Sequence, residues 1–313
     1  LSFFSLKNKK IFVAGHRGMV GAALVRQLQT RGAKEILTAT RDELDLLRQQ
    51  AVEDWMQCHH PDVVIIAAAK VGGIAANNDY PADFIYQNLC IETNLIKAAA
   101  DIEVEKLLFL GSSCIYPKYA EQPIREEALL EGALEPTNEA YAIAKIAGIK
   151  LCQAFRQQYT YDFIAAQPCN LYGPGDNYDL NSSHVLPALI RKTHEAKLAG
   201  KNELIVWGTG QVYREFLHVD DCASGLLFLL ENYSDLLPIN IGSGTEITIA
   251  DLAQLVCQII GFEGQLIFDH SKPDGTPRKL MDSTRLHRMG WQPALSLAAG
   301  IKHAYAAFLQ NGF

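Results

Sequence analysis

The sequence predicts an α/β fold, with a doubly wound parallel sheet of Rossmann type and a smaller C-terminal α/β unit that binds substrate. Three observations predict it. Apolar strands alternate with amphipathic helices through the first half of the chain. A glycine-rich turn joins the first strand to the first helix. After Pro168 the rhythm gives way to short strands and turn-rich loops. Strand–helix–strand repeats need crossovers of one hand, and these put helices on both faces of a parallel sheet.

Taken in order, residues 10–14 (KIFVA) read as a buried strand and 19–30 as a helix. Residues 35–39 form a second strand, 48–58 a second helix, and 62–68 (DVVIIAA) a third strand. The third strand is apolar on both faces, as a central parallel strand must be. A long helix over 81–100, a strand over 106–110, a helix over 139–158 and a strand over 162–167 complete the pattern. Residues 173–183 (GPGDNYDLNSS) are a loop of turn formers. A helix at 185–199, short strands at 204–206, 216–219 and 239–241, and a helix at 221–231 follow. The tail holds helices at 249–260 and 296–310 and a strand at 265–268. This predicts a dinucleotide-binding unit over 1–170 joined by a return segment at 217–242. A second unit is woven from 171–216 and 243–313.

Of the 313 residues, 49% are hydrophobic and 20% charged, so a large core forms and disorder is not expected. The net charge of −7 gives no basic footprint for nucleic acid. The seven cysteines are scattered without metal-ligand spacing. They predict reduced thiols, a cytoplasmic protein and no metal. The opening LSFFSLKNKK puts its apolar patch before its lysines, the reverse of a secretory signal. No stretch reaches the roughly 18 apolar residues of a membrane span.

The first strand ends in Gly15, His16, Arg17, Gly18, Met19, Val20 and Gly21. Glycines there permit a tight turn and let the backbone approach a pyrophosphate. The helix that follows offers free N–H groups and a partial positive charge to the same anion. An ordinary strand-to-helix turn is the plain alternative, but this loop stands where a dinucleotide requires it. The second strand runs into Arg41, where a cation meets an adenosine 2′-phosphate, and Arg17 can join it. Together they favour NADP(H) over NAD. Asp42 is counter-evidence, unless with Glu43 it caps the next turn.

The fourth strand delivers Leu110, Gly111, Ser112, Ser113 and Cys114 to the carboxyl edge of the sheet, where ligands of open α/β sheets bind. Tyr141 and Lys145, at i and i+4, share a helix face and interrupt an alanine-rich run (YAIAKIAGIK). An ammonium beside a phenol lowers its pKa, so the tyrosine can exchange a proton with a sugar oxygen. A surface ion pair is the bland alternative for these two. Cys114 alone reads equally as an inert buried thiol, and His184 as a helix cap. His218 falls in a strand and reads as structural.

The glycine loop, the GSS turn and Y-x-x-x-K resemble the extended short-chain dehydrogenase/reductase family. AAAKVGGI, GSSCIYP, NLYG, REFLHVDD and KPDGTPRK extend the resemblance from about Lys10 to the C-terminal helix. They narrow it to members acting on GDP-4-keto-6-deoxy-D-mannose. The resemblance implies epimerisation at carbons 3 and 5, then reduction at carbon 4 by NADPH. It implies a catalytic set of Ser112, Tyr141 and Lys145, with Cys114 as base and His184 as acid. It adds Pro168, Cys169, Asn170, Leu171 and His184 to the cofactor contacts, although cysteine at 169 replaces a frequent threonine. It puts Lys192, Trp207, Arg214 and Asp274 near the GDP-sugar, although Trp207 suits a core position equally well. A homodimer through the helices at 81–100 and 139–158 is implied by the same analogy.

Overall fold

A computed structural model gives the fold and describes residues 4–272 and 274–311. Residues 1–3 of the opening segment, 312–313 at the end of the second expected unit, and Pro273 of KPDGTPRK lie outside the described residues. The chain runs β1 (Lys10–Ala14), α1 (Met19–Thr30), β2 (Glu35–Leu37), α2 (Gln49–His59), β3 (Val63–Ile66), α3 (Ile74–Asp79), α4 (Pro81–Asp101) and β4 (Lys106–Leu110). It continues through α5 (Glu139–Tyr159), β5 (Phe163–Pro168), β6 (Asn170–Tyr172), α6 (Val185–Leu198), β7 (Glu203–Trp207), β8 (Tyr213–His218) and α7 (Val219–Asn232). It closes with β9 (Ile239–Ile241), β10 (Glu246–Thr248), α8 (Ile249–Ile260), β11 (Gln265–Asp269), β12 (Arg278–Lys279), α9 (Thr284–Arg288) and α10 (Leu297–Asn311).

The main sheet has the order β2-β1-β3-β4-β5-β9, and its pairings are parallel. The order reverses between β1 and β3, so the chain leaves β1 in one direction and returns in the other. That switch opens a crevice above the carboxyl ends of the strands. Every residue of β3 and β4 is buried, as strands covered on both faces require. The apolar core of this sheet includes Phe12, Ile65, Leu108, Phe109 and Ile164.

A second core gathers Tyr172, Leu189, Ile190, Phe216, Leu252, Val256, Ile301 and Phe308 around α6, α8 and α10. There β8 pairs with β6 and β12 in parallel and with β10 antiparallel, while β7 pairs with β11. Met281, Leu286 and Trp291, from the C-terminal tail, pack into the first core instead. Three short strands (β6, β10, β12) and two short helices (α3, α9) go beyond the sequence reading. Two or three strand residues carry no alternation to detect. Helix α3 hides behind a Gly-Gly pair and holds two asparagines, residues that favour turns. Other elements shift at their ends. Strands β2 and β3 stop earlier than read, and β8 begins at Tyr213.

Candidate functional site

The glycine loop leaves the edge of β1 with Gly15 at φ +87°, a conformation that favours glycine. A Cβ at Gly21 would lie 2.1 Å from the Gly15 carbonyl oxygen, and one at Gly15 would lie 2.7 Å from the Ala68 backbone. The turn is therefore wrapped around its own backbone and held against the end of β3. Gly18 precedes α1 in extended geometry without a side-chain cap, so the helix amides face the crevice unclaimed by side chains. Arg17 is exposed, as is Arg41 in the turn four residues beyond β2. Glu43 joins the two regions. Its carboxylate accepts from the Thr40 N–H at 2.7 Å. Those bonds to Thr40, helped by Arg17 and His16, hold its pKa down. Glu43 thus ties its own turn, and the arginines are left facing outward. The residues after β5 divide in role. Cys169 is buried, its thiol pushed well above its ordinary pKa by desolvation and by Glu215. Its side chain belongs to the core, leaving only its backbone for a ligand. Asn170 donates to the Glu215 carbonyl at 2.8 Å.

Ser112 follows β4 and begins a 3-10 turn over Ser113–Ile115, where its Oγ accepts from the Cys114 N–H at 3.2 Å. Tyr141 and Lys145 lie in the first two turns of α5. Tyr141 is partly exposed and has Phe84 edge-on at 6.4 Å. Desolvation pushes its phenol above the ordinary value and Cys114 adds to this, while a hydrogen bond with Ser112 works against both. This corrects the expectation of a phenol drawn toward neutrality by its lysine. Lys145 is not among the groups that move Tyr141. It is buried, donates to the Leu110 carbonyl at 3.0 Å, lies over the Phe109 ring at 4.6 Å and meets Glu92 at 3.9 Å.

Cys114 is half-buried, and Lys279 on β12 donates to its Sγ at 3.5 Å. The ammonium stands where negative charge on sulfur would develop. His184 precedes α6 but makes no side-chain capping bond, so the bland reading as a cap does not describe it. Its outer edge is exposed, yet surrounding protein and then the charge of Lys279 push the imidazole pKa down. Lys279 is the residue that sequence reasoning missed. It lies in KPDGTPRK, but nothing local indicated that β12 would bring it to Cys114, 165 positions away. Cys114, Lys279 and Asn138 line one cleft with Glu135 and Thr276.

The residues expected to meet the sugar nucleotide form a cationic platform. Trp207 is 54% exposed, which removes the core reading. Lys192 Nζ lies 4.7 Å and Lys272 Nζ 5.3 Å from its ring centre. Arg214 donates to the Asp274 carbonyl at 3.2 Å. The Asp274 carboxylate is already engaged, accepting from the Thr209 N–H at 2.8 Å and its hydroxyl at 2.9 Å. Asp274 thus locks the loop that carries Arg214's partner carbonyl. The buried His218 accepts from the Asp220 N–H at 3.2 Å, a capping role.

The family model described as "NAD dependent epimerase/dehydratase family" matches residues 11–242, through β9. The chain belongs to this family. Within it, the chain is 58% identical over 311 residues to the GDP-L-fucose synthase of Sinorhizobium fredii, covering 99% of each. It is 59% identical to GDP-L-fucose synthase 1 of Arabidopsis thaliana, covering 99% of this chain and 96% of the relative. Among solved family structures, a GDP-D-glycero-L-gluco-heptose synthase from Campylobacter jejuni, in the presence of NADPH, superposes with a TM-score of 0.90. It is 37% identical, covering 96% of this chain and 98% of that one.

Proposed function

We propose that this protein converts GDP-4-keto-6-deoxy-D-mannose to GDP-L-fucose by epimerising carbons 3 and 5 and then reducing carbon 4 with NADPH. One observation carries the reading. Beyond the end of β4, Tyr141 with Ser112 and Cys114 with Lys279 are neighbours, so a reducing pair and an epimerising base stand side by side. The full-length likeness to GDP-L-fucose synthases supports it, as does the NADPH of the Campylobacter relative.

The glycine cradle fits a dinucleotide, because side chains at Gly15 or Gly21 would fill it and the amides of α1 are uncapped by side chains. Residues 15–21, Arg41, 110–113, Lys145, 168–171 and His184 would hold NADP(H). When bound, NADPH supplies hydride to carbon 4. The protein's own work is proton handling. Ser112 and Tyr141 hold the ketone oxygen, which stabilises the enolate formed when a neighbouring carbon loses its proton. Cys114 takes that proton as thiolate, with the Lys279 ammonium against its sulfur. His184 returns a proton from the opposite face. Tyr141 then gives its proton to the carbon 4 oxygen. Lys192, Trp207, Arg214 and the Asp274 loop receive the GDP portion.

The division into units at 1–170 with 217–242, and 171–216 with 243–313, assigns cofactor to the first and sugar nucleotide to the second. A homodimer through α4 and α5 is part of the same reading, supported by exposed Tyr86 and Ile143 on these helices. Seven unpaired cysteines suit a reducing cytoplasm. No helix among the described residues is long and apolar enough to cross a membrane.

Incubation with the keto sugar and NADPH tests the function. One NADPH is consumed per sugar, and the product carries inverted centres at carbons 3 and 5. No consumption with that sugar sinks the reading. Arg41→Ala weakens NADPH binding by about 10-fold or more, since a charge-assisted phosphate contact contributes roughly 1.5–3 kcal/mol. NADH binding stays within about 2-fold, because NADH lacks the phosphate that Arg41 meets. Equal losses for both cofactors would remove Arg41 from the 2′-phosphate site.

A further inference from the structure

Glu92 is the buried ionisable group that the chemistry above leaves unused. It lies on α4, is 1% exposed, and approaches Lys145 Nζ to 3.9 Å. Neither of its carboxylate oxygens has a hydrogen-bond partner among the described residues. The nearby Gly148 N–H helps hold its charge but falls short of a hydrogen bond. An unpaired buried carboxylate is expensive, so its position calls for a compensating gain.

The helix interface is shaped for this approach. Helices α4 and α5 pack along one another. Gly148, one turn beyond Lys145, leaves the gap. A Cβ there would lie 2.9 Å from Glu92 Oε2 and 2.4 Å from the Phe109 ring. Around Lys145 are the Leu110 carbonyl and Phe109 ring of β4, Cys152 of α5, and Glu92. Glu92 is the carboxylate among these groups. Burial pushes Lys145 down, and Glu92 is first among the groups pushing it back up. Burial pushes Glu92 up to about 8, against the pull of Lys145. Burial opposes both charges, and Glu92, once ionised, is the carboxylate that favours charge on Lys145.

We propose that Glu92 is a positioning residue for the reduction: from α4 it keeps Lys145 charged beside the Ser112–Tyr141 pair. The inference rests on the function proposed above. Removing the carboxylate removes the largest opposition to the desolvation of Lys145, so the lysine loses its proton at lower pH. Lys145 would meet NADP(H) as an ammonium, so reduction then fails from the alkaline side first. Epimerisation, assigned to Cys114 and His184, does not draw on Lys145.

The test is Glu92→Gln, which keeps size and removes charge. NADPH oxidation is followed from pH 6 to 9 with the keto sugar. Hydrogen exchange at carbons 3 and 5 is followed in D2O without NADPH. The alkaline limb of kcat moves down by about one pH unit or more, giving roughly a 10-fold loss on that limb. KM for the sugar and the exchange rate stay within about 2-fold. An unmoved limb overturns the inference, as does a parallel, pH-independent fall in oxidation and exchange, the mark of a merely structural role. If melting curves find the glutamine variant unfolded, Glu92→Asp decides. Its limb moves the same way by less, and an unmoved limb again overturns the inference. A native protein that neither oxidises NADPH nor exchanges sugar hydrogens would sink the proposed function itself. A native protein that does both beside an unshifted variant sinks only the role of Glu92.

Discussion

Tyr141→Phe lowers NADPH oxidation by about 10²–10⁴-fold, the range associated with losing a positioned proton donor. The phenol is the group placed to protonate the carbon 4 oxygen, and burial favours its protonated form. A phenol held neutral is a donor ready for reduction, and its proton must be replaced after each turnover. The variant retains Ser112, Cys114 and His184. Carbon 3 and 5 exchange in D2O falls too, by up to about 10²–10³-fold, because one of two groups holding the enolate oxygen is lost. Parallel progress curves for NADPH absorbance and deuterium uptake measure both. Oxidation within about 3-fold of native would remove Tyr141 from the chemistry.

Cys114→Ser has the reverse profile. A serine hydroxyl is a far weaker acid than a thiol and does not supply a comparable base at neutral pH. Deuterium exchange falls by about 10²–10⁴-fold, while hydride transfer suffers less because Ser112, Tyr141 and Lys145 are untouched. The sugar formed therefore retains its original configuration at carbons 3 and 5 in most molecules, which NMR of the isolated product detects. A parallel loss of exchange and oxidation with sugar binding intact would withdraw the base assignment. Lys279 gives this prediction its physical basis. Its ammonium donates to Sγ and also disfavours a proton on His184. One lysine thus stands against the sulfur that takes the proton and makes a protonated His184 readier to release its own.

Much of this site is legible in the sequence, because its parts are anchored to strong local signals. The glycine loop follows a strand apolar on both faces, Ser112 and Cys114 follow another, and Tyr141 and Lys145 share a helical face. The signals fail where a role depends on partners distant in sequence. Lys279 reaches Cys114 through a two-residue strand, too short to show a period. The neighbourhood of Tyr141 escapes the sequence for a related reason. Spacing put Lys145 on its face, but the buried carboxylate and carbonyl that claim the ammonium come from α4 and β4. Trp207 could not be placed by sequence, because alternation along β7 leaves Glu203, Ile205 and Trp207 all on the exposed face, a pattern of strand register rather than residue type.

The packing of Met281, Leu286 and Trp291 into the first core bears on how the protein is made. The main sheet receives β9 by residue 241, and the matched family segment ends at residue 242. Its core still lacks those three side chains, the last of them some fifty residues from emerging. A sheet closed at β9 would leave the places of these three side chains unfilled. Both cores reach completion only once the segment carrying α9 and α10 has been made, and Lys279 joins Cys114 in the same stretch of synthesis.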